Sequence, residues 1–393
     1  MRSVSSVLFA ALSLGSLVSA VPHNDNPNGY LHPTNGECKE YTVKESVTSV
    51  VLEWGLPKFR DNFDVTAWRF NSSRKDSKET FKPVSGAKPS TGTYTISGTF
   101  CAPKHPRLGR ESTVLVLSHG LGYDRRYWAP SYKPEKYSFV KYALDEGYSV
   151  FYYDRLGTGL SQKLSGYITQ ASIQQEILGK IVAGVRKGTY TCTTKAKKVI
   201  LVGHSFGSFI SNSLIAAHPT IAEGAILTGL GYPGPNDTTS QASQPYIPGL
   251  FGLQIASTLS KSFSDRDSGY LGFGDIYNHI ETFFHQPGYE VQAAKYAHSI
   301  AQPFAAIEVA SLAALKLSAE KFLGHVLVLA GEFDFIICSG ECKSTFAEKV
   351  WKFIFPAAIR AEGYVHDGAG HGVNFASNAY ESFQKIGEFL ADI

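Results

Sequence analysis

Excess charge of either sign is nearly absent from this chain of 393 residues, whose formal net charge is +3. Its basic residues are scattered, with no basic stripe, so no nucleic acid partner is expected. After the first twenty residues no stretch is long and apolar enough to span a bilayer, which excludes a transmembrane body. The Cys and His spacings of a zinc site are missing. There is no internal repeat and no low-complexity tract. Aromatic enrichment is also missing where it would suggest lipid contact. Between residues 232 and 320, 12 of 89 residues are Phe or Tyr, close to the 13% aromatic average, so composition does not mark that region as a lipid-binding surface.

Hydrophobic residues make up 43% of the chain, enough for a packed core in one large domain or two ordinary ones. The N-terminus, MRSVSSVLFAALSLGSLVSA, has Arg2, an apolar run from Val7 to Val18, and the small-residue site Val18-Ser19-Ala20. This pattern predicts a signal peptide over residues 1–20 and a secreted product. The run is shorter than the ~20 residues a membrane anchor needs. Cleavage after Ala20 removes Arg2 and no acid, taking +3 to +2. Export permits disulfides. The five cysteines are Cys38, Cys101, Cys192, Cys338 and Cys342, so at least one thiol stays free or pairs between chains. Cys338 and Cys342 could close a small loop, and a Cys38–Cys101 bridge could tie down the N-terminal segment. Reduced core cysteines are the alternative. The sequons at Asn71 and Asn236 predict N-glycans.

The segment from His23 to Gly36, rich in Asn, Pro and Gly, is expected to be mobile. Residues 21–110 read as an N-terminal extension of antiparallel strands, at Ser46–Glu53, Phe63–Phe70 and Thr93–Phe100. The polar stretch Asn71–Gly92 reads as a surface loop. Buried runs then follow at Val114–Leu117, Val150–Tyr153, Val199–Val202, Ala225–Leu227 and Val326–Leu329. Helical stretches such as Ala171–Lys187 and Phe206–His218 separate most of them. Alternation of this kind predicts an α/β fold with a mostly parallel central sheet flanked by helices. The core is assigned to residues 111–231 and 321–393. Between them, residues 232–320 break the alternation and read as an inserted lid or cap, helical from Ala293 to Lys321.

Sites in such sheets form outside the carboxyl ends of the strands, and the chemically capable residues collect there. The run Val199–Val202 leads into Gly203-His204-Ser205-Phe206-Gly207, a G-x-S-x-G turn between a buried strand and a helix. A serine hydroxyl is a weak nucleophile. It needs a histidine to take its proton, a carboxylate to fix that histidine's tautomer, and N–H groups aimed at the developing oxyanion. Asp334 follows the run Val326–Leu329, and His371 sits in a Gly-rich loop near the C-terminus. Each has a competitor: Glu332 for the acid and His366 for the base. Ser205 itself has a bland reading as a helix-capping serine. His119 and His204 read as structural neighbours of the site. Asp154, Arg155, Gly157 and Gly159 read as shaping a turn, and His279, His285 and His298 as surface residues of the insertion.

The segments SHGLGYDRRYW, YDRLGTGLS, GHSFGS, LVLAGEFD and DGAGHGVNF occur in that order. On them the chain, from about Tyr94 to Ile393, resembles the α/β-hydrolase fold superfamily in its lid-bearing esterase/lipase-like branch. The resemblance implies Ser205 as nucleophile, Asp334 as acid and His371 as base. It places the oxyanion hole at the N–H groups of Leu121 and Phe206, with no metal or organic cofactor. The expected activity is hydrolysis of a carboxylic ester, small-molecule or lipid-like, through an acyl-enzyme. Alternatives on the same scaffold are a lactonase, a peptidase that holds a free amine with Glu281, Glu290 or Glu308, or a non-catalytic binding protein.

Overall fold

The computed structural model describes residues 30–74, 76–192, 194–232 and 252–393. The leader at 1–20 and the sequon at Asn236 fall outside the described residues. In chain order the strands are β1 (Gly36–Trp54), β2 (Val84–Pro103), β3 (Thr113–Ser118), β4 (Ser149–Tyr153), β5 (Lys198–His204), β6 (Gly224–Thr228), β7 (Leu253–Ile255), β8 (Tyr270–Phe273), β9 (Phe304–Ala305), β10 (His325–Gly331) and β11 (Arg360–His366).

Eight of these strands form one sheet in the order β1-β2-β4-β3-β5-β6-β10-β11. From β4 to β11 every neighbouring pair is parallel, whereas β1–β2 and β2–β4 are antiparallel. The mostly parallel sheet and its antiparallel N-terminal edge are those expected. Strands β3, β4 and β6 are buried along their whole length. That is why they read as unbroken apolar runs: helices cover both faces of a parallel sheet. The helix Ala171–Lys187 buries Ile173, Ile177, Leu178, Ile181, Val182 and Val185, and Gly188 ends it with φ 82°.

The segment Phe63–Phe70 is not a strand. It lies in a helix, Asn62–Ser73, whose N-cap Asp61 accepts from the N–H groups of Phe63 and Asp64. The residues it buries, Val65, Trp68 and Arg69, follow helical spacing. Phe63 and Phe70, which suggested alternation, are 85% and 62% exposed. The expected loop 71–92 is also more ordered than its polarity implied: it holds the end of this helix, a helical turn at Ser77–Thr80 and the first half of β2. The long β1–β2 pairing explains this, since Ser46–Thr93 and Val50–Pro89 are partners in one continuous ladder. Asn71 stands exposed in the last turn of the Asn62–Ser73 helix.

Tyr30, the first described residue, is buried, and its hydroxyl donates to Asp154 at 2.9 Å. The N-terminal segment expected to be mobile is therefore anchored from this point. Cys38 and Cys101 face each other across β1 and β2 and are bridged, as are Cys338 and Cys342. Both bridges leave Cys192 as a thiol, 3.3 Å from the Tyr41 hydroxyl.

Between β6 and β10 the chain leaves the main sheet. Strands β7, β8 and β9 form a separate antiparallel sheet, with helices at Ile276–Phe283 and Val291–Ser299. Only part of 293–321 is helical, because β9 interrupts it. No helix among the described residues is long and apolar enough to cross a membrane.

The topology positions a site. The chain runs from β3 to β4 on one side, then crosses back over β3 to β5 on the other. The direction of winding reverses at β3, so a crevice opens beyond the carboxyl ends of β3 and β5.

Candidate active site

Ser205 occupies the turn between β5 and the helix Phe206–Ala217, with φ 52° and ψ −118°. A positive φ at a non-glycine residue is strained, and such strain concentrates at functional turns. Two glycines permit the turn. A Cβ at Gly203 would stand 2.5 Å from the backbone of Ser208, and one at Gly207 only 2.0 Å from the Ser118 carbonyl oxygen at the end of β3. The turn is held from β6, where the Thr228 carbonyl accepts from Ser205 N–H at 2.8 Å and from the Ser208 hydroxyl at 2.7 Å. The Ser205 side chain makes no hydrogen bond among the described residues and stays 7% exposed. It is therefore not a capping serine.

Asp334 and His371 come together. Asp334 is fully buried where β10 turns into the helical segment Phe335–Cys338. One carboxylate oxygen accepts from Ile337 N–H at 2.9 Å, and the other lies 2.7 Å from His371 Nδ1. An ionised carboxylate only accepts, so Nδ1 carries the proton and the Nε2 lone pair remains for a base. The Cys338–Cys342 bridge closes the loop behind the acid, and the Asp334 carbonyl accepts from Cys338 and Gly340 N–H, both at 3.1 Å.

The competing residues do other work. Glu332 accepts from Gly368 N–H at 2.8 Å and pairs with Lys343, bracing the loop that carries the histidine. His366 is buried at the end of β11, and its charged form is disfavoured there chiefly by desolvation. His204 lies beside Ser205 and is packed on both sides. It stacks on Tyr127 at 4.4 Å, and its Nδ1 bonds the Thr228 hydroxyl at 3.2 Å. Its ring centroid is 5.0 Å from that of His371. A side chain at Gly229 would touch both rings, 2.7 Å from Cε1 of His204 and 3.1 Å from Cε1 of His371.

The loop after β3 closes the other side. A Cβ at Gly120 would lie 3.0 Å from that of Ser205, so the Gly120–Leu121 peptide borders Ser205. The main-chain N–H groups of Leu121 and Phe206 donate to no acceptor among the described residues. Unpaired buried N–H groups are rare, and two flanking one strained serine form an anion-receptive corner.

The insertion packs against the loop that carries His371. The Phe283 carbonyl accepts from Gly372 N–H at 2.7 Å, and the Phe283 ring centroid lies 5.4 Å from that of His371. Behind it, His279 stacks on Phe273 at 4.6 Å and bonds the Tyr123 hydroxyl at 2.9 Å and His298 at 3.3 Å. His279 is thus a buried residue of the insertion rather than a surface one. Its sequence neighbourhood did not show this, because its hydrogen-bond partners Tyr123 and His298 come from the loop after β3 and from another helix. Of the carboxylates considered for holding an amine, Glu290 is held by Lys133 and Lys136 at 2.7 and 2.6 Å, Glu308 is paired with Arg155, and Glu281 is exposed.

Burial lowers the pKa of His119 and His204 well below 6.5, and that of His279 to about 3; the Arg155 guanidinium adds to the effect at His119, and neighbouring imidazoles add to it at His204 and His279. In the unfolded chain these rings take up protons near pH 6.5; in the folded chain they do not. The unfolded state therefore binds more protons, and stability falls as pH drops below about 6.5. For His279 the decline continues to about pH 3. The expected result is a urea midpoint that falls between pH 7 and 4, more gently in His279→Gln, by up to about 1.4 kcal/mol per pH unit. Identical acid slopes in the two proteins would contradict a buried neutral His279.

Residues 115–382, about two thirds of the chain, match the family model described as the alpha/beta hydrolase family. The chain belongs to that family. This alpha/beta hydrolase matches no curated protein. Similar solved structures include an esterase from Thermogutta terrifontis with malate bound, 17% identical, covering 76% of this chain and 94% of that one at a TM-score of 0.50. A protein of Mycobacterium tuberculosis H37Rv provisionally named a non-heme bromoperoxidase is 15% identical, covering 76% and 96% at a TM-score of 0.51. A 2-hydroxy-6-oxo-6-phenylhexa-2,4-dienoate hydrolase from Rhodococcus sp. strain RHA1 is 17% identical, covering 76% and 96% at 0.48. At these identities the likeness is one of fold, and the hydrolase's chemistry rests on its own residues.

Proposed function

We propose that this alpha/beta hydrolase is a secreted serine esterase that cleaves carboxylic esters through an acyl-enzyme. The observation that carries the reading is the 2.7 Å pair between His371 Nδ1 and Asp334, taken together with a strained serine turn whose hydroxyl is uncommitted. His371 Nε2 takes the Ser205 proton as the oxygen attacks the acyl carbon. The C=O π bond opens to a tetrahedral oxyanion, which accepts from the Leu121 and Phe206 N–H groups. On collapse the ester C–O bond breaks, and the imidazolium returns its proton to the leaving alcohol. Water then attacks the acyl-enzyme by the same route, releasing the acid and restoring Ser205. The insertion acts as a lid over the acyl-binding side, since Phe283 packs against the His371 loop. N-glycans at Asn71 and Asn236 belong to the same secreted reading.

The test is labelling with a fluorophosphonate, followed by peptide mapping. The expected result is one adduct on Ser205 in the folded protein, none after denaturation, and turnover of aryl esters that the adduct abolishes. Folded protein that takes no label would favour a binding module. Turnover of aminoacyl anilides or lactones in preference to esters would favour the other chemistries.

A further inference from the structure

Arg155 lies two residues past the end of β4 and is completely buried, yet no step of the proposed reaction uses it. Its surroundings assign it a task. Its N–H donates to His119 Nε2 at 3.0 Å. An amide N–H can only donate, so the His119 proton sits on Nδ1, which donates to the Gly120 carbonyl oxygen at 2.8 Å. The Arg155 guanidinium donates to that same oxygen through Nη2 at 3.2 Å. The oxygen of Gly120 and the N–H of Leu121 belong to one planar trans peptide and point in opposite directions. Fixing the oxygen from one side therefore aims the Leu121 N–H from the other. Donation to the carbonyl also polarises the peptide and strengthens its N–H as a donor. The same guanidinium lies over the Phe206 ring, 4.5 Å from its centroid, and Phe206 carries the second donor.

The charge is compensated from the insertion. Arg155 pairs with Glu308, which is itself buried; Gln174 donates to that carboxylate at 2.7 Å, and its other oxygen accepts from Ala305 N–H at 2.7 Å. We infer that Arg155 is the positioning residue of the oxyanion hole, orienting both donors at once, and that Glu308 couples this alignment to the insertion. This inference rests on the esterase reading above and adds to it a residue that touches no reacting atom.

The experiment uses the double variant Arg155→Met/Glu308→Gln, which removes both charges together and so leaves neither buried ion unpaired. Three measurements are made: kcat and KM on a soluble aryl ester, affinity for an aryl trifluoromethyl ketone, and affinity for the matching methyl ketone. The trifluoromethyl ketone adds Ser205 across its carbonyl and carries an oxyanion; the methyl ketone stays trigonal. The expected result is a fall in kcat of about ten- to a hundredfold with KM changed by less than about threefold. The trifluoromethyl ketone should weaken by the same factor as kcat/KM, and the methyl ketone should bind as before. A kcat close to wild type, or equal weakening of both ketones, overturns the inference. Should the double variant not fold, Arg155→Lys answers instead. It keeps the charge beside Glu308 but cannot span Glu308, Gly120 and Phe206. It is expected to lose kcat likewise, and an unchanged kcat there is equally decisive against the inference. Wild-type protein without Ser205-dependent ester turnover would refute the esterase reading itself, a result separable from either of these.

Discussion

Ser205→Ala is expected to fold and to lose ester hydrolysis by about a thousandfold or more. The two halves of that expectation have separate causes. Alanine keeps the Cβ that the turn already tolerates at φ 52°, so it adds no clash and no new backbone strain. The hydroxyl has no hydrogen-bond partner among the described residues, so its removal strands no buried group. Stability should therefore stay within about 0.5 kcal/mol of wild type. Turnover should collapse because no other nucleophile occupies the turn. What remains would come from the Leu121 and Phe206 donors, which can still orient a carbonyl for attack by water. Thermal unfolding and initial rates measured on one preparation check both halves. Turnover within tenfold of wild type, in a folded variant, would remove Ser205 from the mechanism.

Asp334→Asn is expected to lower kcat by about 10⁴-fold while leaving the fold intact. The carboxylate has two tasks, one for each oxygen. Oδ1 caps the following helical turn at Ile337 N–H, and Oδ2 accepts from His371 Nδ1. Asparagine caps as well as aspartate, so its carbonyl oxygen should keep the Ile337 bond. That choice turns its NH₂ group toward His371. A donor facing Nδ1 forces that nitrogen to accept, and the ring proton moves to Nε2. The imidazole then offers Ser205 a proton instead of a lone pair. KM should change little, since neither residue is assigned to substrate binding. The decisive measurement is kcat beside the unfolding midpoint. Loss of activity together with loss of folding would point to the cap, whereas loss of activity alone would support the tautomer argument.

Most of the site could be read from the chain because Ser205, Asp334 and the Gly120–Leu121 peptide stand within three residues of the end of a buried strand, whereas His371 lies five residues past β11. Ser205 follows β5, Asp334 follows β10, and Gly120–Leu121 follow β3. A run of β-branched residues ending in a Gly-rich turn is a local signal, and a parallel sheet delivers all its carboxyl ends to one side. The choice between Asp334 and Glu332 was not local. They lie two residues apart, and only the packing of the Gly368 loop and Lys343 around Glu332 separates their roles. The same holds for Phe63–Phe70, where two exposed phenylalanines imitated strand alternation in a helix whose buried residues are Val65, Trp68 and Arg69.

The sequence by itself determined the α/β class, the strained serine turn, and the order of Ser205, Asp334 and His371 along the chain. These follow from the periodicity of apolar residues and from the few residue types that tight turns accept, both properties of short stretches. Only the tertiary structure decided what stands behind the site. Arg155 and Glu308 are 153 residues apart, as are, at 156, Tyr123 and His279. All four stand in stretches the sequence marks, but nothing in those stretches names Glu308 or His279 as the partner. A buried charge or ring nitrogen must find its partner across space, and that partner is fixed by how the insertion packs onto the sheet rather than by any pattern along the chain.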